Sequence, residues 1–222
     1  MSAAATYAKL RHMGARIVTT GEAAAVVRTS LSAASRSLRD LEGKGLIRRV
    51  RQGLWVIGDE QIDPRVVIAE LTRPFPAYIS FDSALATHGA IDQSPTAIAV
   101  ASLAKPRRVA TDLGTYVVHQ LPPQLFGGFV EREGYALATV EKAIFDYFYV
   151  ACASGHPTRR LPELDLPEGS SQTKIQRWIE RIASPRLRTL VSVSIARSVA
   201  PAGLSTLPSP RRSRRPSAPR EP

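Results

Sequence analysis

"GLIRRVRQGLWVI" occupies residues 45–57. Apolar residues close on both sides of Arg51-Gln52-Gly53, so the stretch reads as a hairpin with strands at 46–50 and 54–57. Arg48, Arg49 and Arg51 crowd onto that hairpin. Positive charge packed at a turn serves either solubility or contact with something anionic, and the neighbouring sequence has to separate the two.

Immediately upstream lies "TSLSAASRSLRDLEGKG", in which Leu31, Ala34, Leu38 and Leu41 recur at helical spacing and form one apolar stripe. Ser32, Arg36 and Arg39 follow the same spacing on the other face, and Gly43 and Gly45 end the helix. Further out, "TYAKLRHMG" is a short helix stopped by Gly14. Thr19 or Thr20 offers an N-cap to "GEAAAVV", with Glu22 suited to the first turn. Three short helices and a hairpin form the order of a winged helix-turn-helix, whose last helix enters the major groove while the wing lies along the backbone. Ser32, Arg36 and Arg39 on the helix, with Arg48, Arg49 and Arg51 on the wing, are the candidate DNA contacts. Strand alternation sends Arg48 and Arg49 to opposite faces, which favours Arg51 at the turn. A solvated helix and hairpin, or a winged helix that binds protein, are the competing readings.

Charge favours the DNA reading and leaves the others open. The 222-residue chain carries a net charge of +11. Residues 1–57 hold ten Lys and Arg against three Asp and Glu, a balance of +7. Residues 58–183 hold twelve against fifteen, a balance of −3, and residues 184–222 hold eight arginines against one glutamate, again +7. A basic head on a mildly acidic body points to a polyanion at the head, most often nucleic acid, and with the winged-helix order the expected partner is double-stranded DNA.

The rest of the chain narrows the class further. No run approaches the roughly 18 apolar residues of a membrane span, the start lacks the order of a secretory signal, and Cys152 is the single cysteine. A cytoplasmic protein with no membrane partner is expected. No P-loop, dinucleotide glycine fingerprint, G-x-S-x-G or H-E-x-x-H occurs. His12, His88, His119 and His156 are scattered without metal spacing, so no metal, cofactor or enzymatic chemistry is expected. Asp82, Ser83 and His88 lie on one short helix, where Ser80 and Asp82 read as caps and His88 as a packed or terminal residue. Glu141, Lys142 and Asp146 read as the polar face of the helix "LATVEKAIFDYFYVA", whose Val140, Ala143, Ile144, Tyr147, Phe148 and Ala151 form the core-facing stripe.

The middle reads as α+β. "DPRVVIAELTR" starts a helix at Asp63-Pro64, "TAIAVAS", "RRVA" and "TYVVHQL" are strands, and "QTKIQRWIERI" sets Ile175, Trp178, Ile179 and Ile182 on one face. In order and spacing, "GLWVI", "YISFDSALATHGAI", "LATVEKAIFDYFYV" and "LPELDLP" before a Trp-bearing helix resemble the AbiEi family of bacterial antitoxins, over residues 7–190. The resemblance implies a winged helix-turn-helix at residues 1–60 that represses its own operon, and an α+β antitoxin domain at 61–190. It also implies a nucleotidyltransferase-like toxin as functional partner, countered without a stable complex. Lys105, Arg107 and Arg108 fall where the family often places basic residues; they read as a solvated loop or as a second nucleic-acid or partner contact. From about Ser192, Ser, Pro, Arg and Ala dominate, so 191–222 is expected to be a disordered basic tail. A stand-alone winged-helix regulator with a ligand-sensing or dimerising body, and a protein-interaction module, are the rival functions. Oligomeric state is not readable from the sequence.

Overall fold

The computed structural model describes residues 3–58, 61–158, 161 and 163–199. The protein is mixed α+β with two sheets. Its first part runs α1 (Ala3–His12), β1 (Ile17–Thr19), α2 (Thr20–Val27), α3 (Leu31–Gly43), β2 (Ile47–Arg51) and β3 (Leu54–Ile57). β3 is the middle strand of an antiparallel sheet in the order β1-β3-β2. Thr19 caps α2 through a full capping box: its hydroxyl accepts the Glu22 amide, and Glu22 accepts the Thr19 amide at 2.8 Å. Ser30 caps α3 by accepting the Ala33 amide. Of the expected apolar stripe on α3, Ala34, Leu38 and Leu41 are buried, but Leu31 is 62% exposed. It sits in the first turn, before the helix reaches its neighbours.

The second part follows a 3-10 turn (Pro64–Val67) capped by Asp63 and continues as α4 (Ile68–Thr72), β4 (Ala77–Ile79), α5 (Phe81–Thr87), β5 (Ile98–Ser102), β6 (Arg107–Thr111) and β7 (Gly114–Gln120). β8 (Phe129–Arg132), β9 (Tyr135–Ala138), α6 (Val140–Ala153), α7 (Gln172–Glu180) and α8 (Pro185–Val199) complete it. The six strands lie in the order β6-β7-β5-β4-β9-β8, with β4–β9 and β5–β7 parallel and the other neighbours antiparallel. β1, β4, β8 and β9 are too short or too irregular in pattern to have stood out in the sequence. α6 packs against α5, α7 and α8. No helix among the described residues is long and apolar enough to cross a membrane.

Being enclosed on several sides changes the reading of α6. Glu141, Lys142 and Asp146 are not a solvated face: all three are buried, Lys142 and Asp146 completely. Lys142 Nζ is ion-paired and hydrogen-bonded with Asp146 Oδ1, and Asp146 Oδ2 accepts hydrogen bonds from Ser80 Oγ (2.7 Å) and Tyr78 Oη (3.1 Å). Ser80 therefore spends its hydroxyl on Asp146 and makes no side-chain cap for α5, contrary to expectation. The Trp178 ring lies 4.6 Å from Lys142 Nζ and shields the ammonium. Burial pushes Asp146 up and Lys142 down, while each partner's charge pulls the other back towards ionisation. Gly128, at φ +74°, lets this lid close, since a Cβ there would stand 2.7 Å from the Trp178 ring. Glu141 Oε1 accepts the Ser171 amide and pairs with Lys174, both at 3.2 Å, which ties α7 to α6. Burial works to raise Glu141, but these hydrogen bonds and Lys174 outweigh it and leave the carboxyl below its ordinary range.

The change in composition at Ser192 does not end the fold. α8 runs on to Val199, with Val191, Ser194, Ile195 and Val199 buried, so the first residues of the expected tail are helical and packed. The remainder of that tail, 200–222, lies outside the described residues.

Two cores result, and β3 belongs to both. Trp55 and Ile57 join Leu10, Val18, Leu38, Leu41 and Ile47 in the small core of the head. Leu54 and Val56, with Val50 of β2, join the large core around Tyr78, Ile144, Phe145 and Phe148. Side chains alternate along a strand, so four consecutive apolar residues are what a strand buried on both faces requires.

Candidate nucleic-acid interface

The hairpin and α3 face each other across a groove of about 540 Å³. Helix positions Leu31, Ser32, Ser35 and Arg39 line one wall, and Arg49, Gln52, Gly53 and Trp55 of the hairpin line the other, with Thr20 of α2 at the end. The hairpin turns at Gly53 with φ +83°, a conformation L side chains rarely adopt. Trp55 donates its indole N–H to Thr20 Oγ1 at 2.9 Å, which anchors the hairpin wall to the start of α2. Trp55 also lies 6.0 Å beneath the Arg49 guanidinium, whose Nε is 3.4 Å from Glu42 Oε1. Arg39 folds along its own helix, donating from Nε and Nη2 to the Ser35 carbonyl and hydroxyl at 3.3 Å.

Three of the six expected head contacts therefore converge: Ser32, Arg39 and Arg49 share the groove. Arg36 and Arg51 are exposed outside it, and neither side chain makes an ion pair or hydrogen bond among the described residues. Arg48 points elsewhere. Its Nε is 3.3 Å from Asp112 Oδ2 in the β6–β7 turn, and the Asp112 amide donates to the Val50 carbonyl at 3.0 Å. Strand alternation thus sends Arg48 to the body and Arg49 to the groove. Ser35, Gln52 and the exposed Leu31 were missed from the sequence. Ser35 follows Ser32 by three positions and could have been found by spacing, whereas Gln52 depends on which way the turn leans.

The second basic group does not converge. Arg107 and Arg108 lie within β6 and Lys105 in the turn before it. Arg107 donates to the Leu71 carbonyl at 2.7 Å and to the Lys105 carbonyl at 3.0 Å, covering the end of α4. Arg108 lines a separate cleft in the body. His88 stands at the end of α5 with Nε2 at 2.8 Å from the Ala138 carbonyl, and Asp82 Oδ1 accepts the Ser83 amide. Asp82 thus holds the first turn of α5, and His88 ties the end of that helix to β9.

A second tie joins head and body. Arg73 bridges Glu22 at 2.9 Å and Glu70 at 3.1 Å. The Thr19 amide, aided by Arg73, holds Glu22 below the usual carboxylate range. Glu22 thereby fixes both the start of α2 and the placement of that helix on the body. Compared with models of protein families and with curated proteins, the chain matches none.

Proposed function

We propose that the first 58 residues act as a winged helix-turn-helix that binds the promoter of the protein's own operon, and that the chain is the antitoxin of a type IV toxin–antitoxin pair. The observation that carries the DNA reading is the groove in which Ser32 and Arg39 of α3 meet Arg49 and Gln52 of the hairpin, within a segment of net charge +7. In this reading α3 enters the major groove, where Arg39 and the serines reach base edges or phosphates, while Arg49 and Arg51 follow the backbone. Arg49 and Arg39 are already held by Trp55, Glu42 and Ser35, so less side-chain freedom is lost on binding.

The antitoxin setting rests on the resemblance to AbiEi proteins, with a nucleotidyltransferase-like toxin opposed without a stable complex. Titration of the purified protein onto its own promoter and onto a scrambled duplex, across a salt series, tests the first part. Preference for the promoter with affinity falling steeply with salt is expected; equal, salt-insensitive binding would refute it. Co-expression with the neighbouring toxin gene tests the second part: growth should be restored, and no complex should survive co-purification.

A further inference from the structure

A cleft of about 740 Å³ lies in the body, far in sequence from the head's groove. Its size is in the range of small-molecule sites, about 300–1,000 Å³. One floor is a row across three strands: Ala99 of β5 faces Val117 of β7, and Val117 faces Arg108 of β6. This register sets Arg108 on the cleft lining, and its side chain makes no ion pair or hydrogen bond among the described residues. At the side, the Phe81 ring packs 4.5 Å from the His119 ring, with Tyr147 nearby. Phe81 holds φ +58°, a strained conformation for a bulky residue that persists only where the surroundings demand it. Asp82, whose Oδ1 accepts the Ser83 amide, and Thr96 also line the cleft, adding a carboxylate and a hydroxyl to it.

We propose that this cleft binds a nucleoside monophosphate. Its residues supply the half-buried His119 ring, backed by the buried Phe81, as a stacking face for an unsaturated ring, a guanidinium for a phosphate, and a carboxylate for ribose hydroxyl or exocyclic amine donors. A simple aromatic acid satisfies only the first two and leaves the Asp82 carboxylate without a donor. The site is distinct from the DNA-binding reading and does not depend on it.

Calorimetric titration of the full chain with AMP, GMP, CMP and UMP, and with the matching nucleosides, tests the proposal. Arg108 is exposed on an edge strand, so Arg108→Ala leaves the core intact. At least one nucleotide is expected to bind, with affinity reduced about tenfold or more by loss of the phosphate or by Arg108→Ala. Arg39→Ala and Arg49→Ala are expected to leave this binding unchanged. The proposal is overturned if none of the four nucleotides binds at millimolar concentration, if Arg108→Ala binds as the parent does, or if Arg49→Ala removes the binding, which would place the nucleotide on the head.

Discussion

Lys142 and Asp146 form an ion pair in the interior. Both are fully buried, and removing one leaves the other charged or unpaired in an apolar interior. Asp146→Ala is expected to cost about 3–5 kcal/mol, while the double change Asp146→Leu with Lys142→Met costs distinctly less, because no orphan charge remains. Urea unfolding of the parent and the two variants checks this; equal losses in the single and double variants would mean the pair is not the source. In the sequence these residues stand four apart on a helix, the usual spacing of a solvated surface pair. Only the arrival of Trp178 from α7, with Tyr78 and Ser80 from the sheet side, turns that surface pattern into a buried network.

At the scale of elements, the β2–β3 hairpin separates its arginines by function. Replacing Arg49 by Ala is expected to flatten the slope of log affinity against log salt by about 1, because one phosphate contact and its released counterion are lost. Arg48→Ala should leave that slope almost unchanged, since its partner is Asp112 of the body. Equal slopes for the two variants would mean the hairpin does not lie on DNA as proposed. The capping box of α2 makes a second, pH-dependent case. The folded state depresses Glu22, so its contribution is fully present above the unfolded carboxylate range and is lost as pH falls through the lowered folded value. Glu22→Gln is accordingly expected to lower the melting temperature at neutral pH and to lose that effect at an acid pH below the lowered folded value. An equal effect at both pH values would assign the role of Glu22 to packing instead of charge.

For the whole molecule, β3 and α8 decide how the parts depend on one another. The head is not a bead on a linker: Val50, Leu54 and Val56 fill the large core, and the Arg48–Asp112 and Arg73–Glu22 pairs brace it at the surface. Exposed pairs of this kind contribute little by themselves, so the apolar contacts supply most of the attachment. At the other end, a chain stopped at Ser192 loses the buried Ile195 and Val199. Burial of two such side chains is worth roughly 3–6 kcal/mol, so the truncated protein should melt several degrees lower. An unchanged melting temperature in thermal unfolding followed by circular dichroism would show that the end of α8 contributes nothing.

The sequence by itself determined the local elements whose signals are short in range. Thr19, Asp63 and Thr139 cap the helices or turns they precede, and the hairpin turns about Gly53. It also determined the segregation of charge and the apolar stripe of α6, because composition and helical period need no partner to be read. Tertiary structure alone decided which of two adjacent arginines faces the groove and that the Lys142–Asp146 pair lies inside. It also decided that α8 continues to Val199 through a stretch of weak apolar content, and that Arg108 joins a cleft with Phe81 and His119. Each of these depends on what packs against an element from a distant part of the chain. Periodicity states how many faces a segment has; only its neighbours settle which face is wet.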